Sequence, residues 1–79
     1  MYKGYIVKKD PEVEPTVIQY NGYLEPLFLS FMRSFTGQEG VCKVVVKINE
    51  VTLETHTLLG NGQWEYHDCT TGEVTIGEA

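Results

Sequence analysis

Six apolar side chains, Leu24, Leu27, Phe28, Phe31, Met32 and Phe35, recur at i, i+3, i+4, i+7, i+8 and i+11. That is the spacing of one face of an α-helix, and no strand period reproduces it. The spacing predicts a helix over residues 24–35. Pro26 fits only within its first turn, where the missing N–H has no intrahelical partner, and Gly37 stands where a left-handed cap ends such a helix. Burying the whole stripe contributes on the order of 9–18 kcal/mol before chain entropy is subtracted. The stripe is therefore the expected anchor of the fold. Leu29 projects off its arc. Beside Met32, whose side chain adapts to irregular surfaces, Leu29 is a candidate contact residue.

Around this helix the chain reads as strands. Tyr2–Lys9 and Thr16–Tyr20 are rich in aromatic and β-branched residues, and Pro11 and Pro15 exclude regular structure between them. After the helix come Val41–Ile48, Val51–Leu59, Gln63–Asp68 and Glu73–Ile76, divided by turn residues at Asn49-Glu50, Gly60-Asn61-Gly62 and Thr70-Thr71-Gly72. The order is β-β-α-β-β-β-β. One helix covers one side of a sheet, so the expected architecture is α+β, with the amphipathic helix across one face of a mainly antiparallel sheet. A chain of 79 residues makes one domain, 1–79, with one core. A ubiquitin-like β-grasp resembles the ββα beginning and is the alternative fold, although four closely spaced strands after the helix fit it poorly.

If Asn49-Glu50 is a two-residue turn, strict alternation assigns the faces of the hairpin it joins. Cys42, Val44, Val46, Ile48, Val51 and Leu53 share the core face, and Lys43, Val45, Lys47, Thr52, Glu54 and His56 the outer one. Lys47 and Glu54 are then diagonal neighbours.

Charge is unevenly spread along the chain. Residues 1–47 hold six bases against five acids, residues 48–79 hold six acids and no base, and the net charge is −5. With Glu54 compensated by Lys47, the uncompensated acids are Glu65, Asp68, Glu73 and Glu78, on and around the last hairpin. Such a field attracts a basic protein surface and opposes direct contact with nucleic acid or membrane. No apolar run approaches the roughly 20 residues of a membrane span and no leader segment is visible, so the expected location is the cytoplasm. There Cys42 and Cys69 are reduced thiols; export would permit one disulfide.

Chemistry-bearing motifs are few. Cys42, His56, His67 and Cys69 could ligate a metal, but a structural zinc site needs a tight Cys-x2–4-Cys or His-x3–5-His pair, and none is present. A Cys–His nucleophile between Cys69 and His56 or His67 lacks a third orienting group in the sequence around it. Gly60-Asn61-Gly62 precedes no helix, so it is a turn and no phosphate loop. The expectation is a protein without enzymatic activity, metal or cofactor.

What remains is a binding module, an inhibitor or accessory factor that docks Glu65, Asp68, Glu73 and Glu78 on a basic surface of a larger protein, with Trp64 and Leu29 as apolar anchors. A basic surface of this kind is often a nucleic-acid-binding groove, and a phage-encoded anti-defence protein would be an example. The alternatives are a small-molecule or metal-binding protein whose site forms between subunits of a homo-oligomer, and a structural protein that pairs through an edge strand.

Overall fold

The computed structural model describes residues 1–78. The elements are β1 (Tyr2–Lys8), β2 (Thr16–Tyr20), α1 (Glu25–Arg33), β3 (Val41–Ile48), β4 (Val51–Leu58), β5 (Trp64–Asp68) and β6 (Val74–Gly77). The six strands form one sheet in the order β2-β1-β3-β4-β5-β6, and every neighbouring pair is antiparallel. The protein is thus a small α+β fold with a single short helix, mostly sheet, as its residue pattern predicts. The chain from β2 to β3 passes over β1, carrying α1 across one face. The four strands after α1 form a consecutive meander, the feature that a β-grasp does not accommodate. Among the described residues no helix is long and apolar enough to cross a membrane.

The β3–β4 turn is the predicted two-residue one. Asn49 and Glu50 both have positive φ (47° and 73°), which matches the twist of the strands they join. Ile48 pairs with Val51 and Lys47 with Thr52, as alternation requires. Then the register slips, because Leu53 is an extra residue on β4 and Glu54 takes the place opposite Val46. This bulge inverts the rest of β4. Glu54 and His56, expected on the outer face, point toward the helix, and Glu54 is not a neighbour of Lys47 on the open face. A second slip makes Cys42 the extra residue on β3, so Val41 occupies the core position expected for Cys42.

The helix is shorter than its apolar stripe and is turned about its axis. It runs from Glu25 to Arg33, with Pro26 in the first turn, Glu25 at the positive end of its dipole and Arg33 at the negative end. Its buried residues are Phe28 and Met32, while Leu24, Leu27 and Phe31 are exposed. Leu29, expected to project outward, is half-buried and packs against the core. At 100° per residue, the inward direction lies roughly 80° from the centre of the stripe. Only part of the expected 9–18 kcal/mol is therefore realised within the chain.

The core consists of Tyr2, Ile6, Phe28, Met32, Val41, Val44, Val46 and Trp64. Met32 is wholly buried over Gly4 of β1, where a Cβ would collide with its Sδ and Cε. Glycine is what leaves room on β1 for the Met32 side chain. Tyr2, Tyr20 and Phe28 form an aromatic group beside it, Tyr20 and Phe28 being stacked with centroids 5.3 Å apart.

Candidate functional site

The inversion of β4 builds a polar cluster on the helix-covered face. Glu54 is 3% exposed. Arg33, the last residue of α1, grips it with a two-pronged contact, Nε donating to Oε2 at 2.9 Å and an Nη donating to Oε1 at 2.7 Å. His56 Nε2 lies 2.7 Å from Oε2, and an ionised carboxylate only accepts, so Nε2 is the donor. Burial by itself would raise the Glu54 carboxyl, but the hydrogen bonds from His56 and Arg33 outweigh it and hold the group below its ordinary value. The Tyr66 ring backs both partners, 5.0 Å from the imidazole and 5.7 Å from the guanidinium carbon. Among the described residues His56 makes no hydrogen bond to a hydroxyl or thiol, so the cluster holds no nucleophile–base pair. It is a latch that ties the end of α1 to β4.

Beside the opposite end of the sheet lies an apolar groove of about 340 Å³. Its floor and walls are Ile18 and Tyr20 of β2 with Leu27, Phe28 and Phe31 of α1. Leu24, Leu27 and Phe31 continue it outward as an exposed stripe, and Tyr23 beside them is 91% exposed. β2 is the terminal strand of the sheet, so the groove runs along an edge whose outward backbone groups have no strand partner among the described residues. The sequence contained these residues; it was the rotation of the helix, set by Glu54 gripping Arg33 and Phe28 meeting the aromatic group, that brought them to the surface.

The residues singled out from the sequence are dispersed. Trp64 is nearly fully buried in the core, a correction to its expected role as a surface anchor: on β5 it faces α1, opposite Leu58. Leu29 is likewise a packing residue. Glu65 lies on the open face with His67, whereas Asp68 lies on the other, and adjacent positions of a strand always part in this way. The Asp68 carboxylate accepts from the Thr70 hydroxyl at 2.6 Å and the Thr70 amide at 2.9 Å, and these bonds hold it below its ordinary value. Glu73 and Glu78 are exposed near the ends of β6.

The metal-ligand candidates do not converge. Cys42 donates to the Lys8 carbonyl, Cys69 is exposed at the β5–β6 turn, and both thiols are free. His56 is committed to Glu54, and His67 faces the open side. Among the described residues no three His, Cys, Asp or Glu side chains come together in a geometry for a metal ion.

No family model matches the chain, and no significant match is found among curated proteins or solved structures. The functional reading therefore rests on the chain's own residues.

Proposed function

We propose that the protein is a small non-enzymatic binding module, an inhibitor or accessory factor that docks on a larger protein. The observation that carries this reading is the apolar groove between α1 and the free edge of β2. A domain in water gains nothing from leaving Leu24, Leu27 and Phe31 exposed on one stripe, and a patch of that kind is the usual mark of an interface. The occupant is an extended segment of the partner that adds a strand to β2. Its main chain pairs with the outward groups of β2, and its alternate side chains enter the groove.

Charge selects that segment. Asp10, Glu12 and Glu14 lead into β2 and Glu25 opens α1, so the favoured segment carries basic flanks. The C-terminal acids stand elsewhere. Glu65 and Asp68 lie on β5, four strand spacings or roughly 19 Å from β2, so they shape the long-range field and the rate of encounter.

The test is a paired substitution. Leu27→Asp/Phe31→Asp changes two side chains outside the buried core, so the chain is expected to stay folded. A modest fall in melting temperature is expected because Phe31 also packs edge-on against Phe35, while affinity for the captured partner falls about 30-fold or more. Amide exchange is expected to slow along β2 in the complex. Reversal of Glu65, Asp68 and Glu73 to lysine is expected to slow association and leave dissociation unchanged. Unchanged affinity in Leu27→Asp/Phe31→Asp overturns the reading. A mass that rises with concentration and depends on the same two residues would instead make the occupant a second copy of this chain.

A further inference from the structure

Net charge argues against nucleic acid, but the fold does not distribute that charge evenly. Three of the six bases, Lys3, Lys43 and Lys47, stand on the open face of β1 and β3, around Tyr5. Lys3 and Lys47 are directly opposite one another in the ladder. Like charges so placed destabilise a sheet, and among the described residues none of the three lysines makes an ion pair. The Leu53 bulge removes the carboxylate that regular alternation would have set beside Lys47, turning Glu54 to the other face. Nearby acids are Glu50, at the rim beside Lys3 and Lys47, Glu65, two strands from Lys43 along the same row, and Glu14, which precedes Pro15 in the chain.

Tyr5 sits between two hollows. One, of about 180 Å³, is lined by Lys3, Lys47 and Asn49 besides Tyr5, Glu50 and Met1. The other, of about 290 Å³, is lined by Lys43, Lys47, Val7, Val45 and Pro15 besides Tyr5. The Lys47 ammonium lies 5.5 Å from the centre of the Tyr5 ring. An aromatic ring flanked on both sides by unpaired cations, with a hollow on either side, is the arrangement that receives flat bases and the phosphates joining them.

We infer that the open face of β1 and β3 binds a short run of single-stranded nucleic acid, with bases against Tyr5 and phosphates at Lys3, Lys43 and Lys47. An acidic peptide fits less well. β1 and β3 are interior strands whose backbone groups are paired on both sides, so a peptide main chain finds no ladder to join. Lysine also lacks the forked geometry by which arginine selects carboxylates. A duplex fits less well, since its major groove admits a helix or a two-stranded ribbon, and a sheet face reaches the minor groove only by bending and opening it. This surface is opposite the α1–β2 groove and independent of it.

Fluorescence anisotropy of a labelled oligothymidylate of about ten nucleotides, titrated with the full chain at low ionic strength, tests the inference. Three phosphate contacts predict a slope of about −2 in the logarithm of affinity against that of salt. In Lys3→Gln/Lys47→Gln one contact is left and the slope is expected to fall to about −0.7; in Lys43→Gln alone it falls by about 0.7. Tyr5→Leu is expected to weaken binding about tenfold with the slope unchanged. Leu27→Asp/Phe31→Asp, on the other face, is expected to bind as the wild type does, and thermal melting confirms that each variant folds. No binding, an unchanged slope in Lys3→Gln/Lys47→Gln, or equal displacement by polyglutamate or by duplex DNA overturns the inference.

Discussion

The helix is held to the sheet by two unlike contacts lying side by side. Over β1 and β3 the contact is apolar: Met32 settles on Gly4 among Ile6, Val44 and Val46, with Phe28 in the aromatic group. Over β4 and β5 it is ionic: Arg33 grips Glu54, which His56 and Tyr66 support. The first gains from leaving water and asks only for complementary shape. The second takes a carboxylate out of water and recovers the cost through three charge-assisted hydrogen bonds whose geometry is specific. The apolar side therefore supplies most of the stability, and the ionic side, together with Phe28 in the aromatic group, sets how the helix is turned. That rotation leaves Leu24, Leu27 and Phe31 in the groove beside β2.

The largest effect is expected on the apolar side. Met32→Ala should cost about 2–5 kcal/mol in denaturant melts, through lost burial and the void left behind. Gly4→Ala should cost about 1–3 kcal/mol by overpacking, and little or nothing in the Met32→Ala background, where the colliding atoms are gone. Equal costs in both backgrounds would separate Gly4 from the seating of the helix.

On the ionic side Glu54→Ala is expected to cost about 2–3 kcal/mol, below the usual figure for a buried pair because the Arg33 side chain is 47% exposed. It should also change the near-ultraviolet aromatic signal, to which Tyr66 and the other aromatic residues beside α1 contribute, as α1 loses its tether. A variant that keeps both stability and spectrum would show that the apolar contact alone orients the helix.

The mildest perturbation is pH. The folded Glu54 carboxyl lies below its ordinary value of 4.5, so the unfolded chain binds the proton first. The stabilisation from this group is complete above that value, declines as the pH falls below it, and ends once the folded carboxyl is itself protonated. Over that window the wild type should lose more stability than Glu54→Gln, whose side chain does not titrate. Equal losses would remove an ionised Glu54 from the latch.

The apolar contact was largely legible in the residue order and the ionic one was not. Six side chains at helical spacing announce α1, and the alternation of Val44, Val46 and Ile48 announces their shared face. Glu54 and His56 read as outward-facing because alternation holds only while a ladder is uninterrupted. The extra residue at Leu53 depends on how β3 and β4 meet, and nothing in the local composition marks it. The expected anchors failed for a similar reason. Leu29 and Leu27 exchanged roles once the helix turned, and Trp64 joined the core because β5 lies within reach of α1.

The candidate surfaces divide in the same way. The exposed acids at Glu65, Asp68, Glu73 and Glu78 could be counted from the chain, yet adjacent strand positions and the Thr70 contact scatter them over different surroundings. The lysines could also be counted, and there the opposite occurred: β1 and β3, separated by more than thirty residues, meet so that Lys3 faces Lys47.

Periodicity and turn chemistry are local properties, which is why the order of elements, the two-residue Asn49-Glu50 turn and the apolar character of α1 follow from the residues in succession. Strand order, the two register slips, the rotation of the helix and the partner of each charge arise from contacts between segments distant in sequence. There Glu54, turned to the helix side by the Leu53 register slip, requires the Arg33 and His56 donors, and the helix orientation that brings Arg33 to it leaves Leu24, Leu27 and Phe31 partly in water.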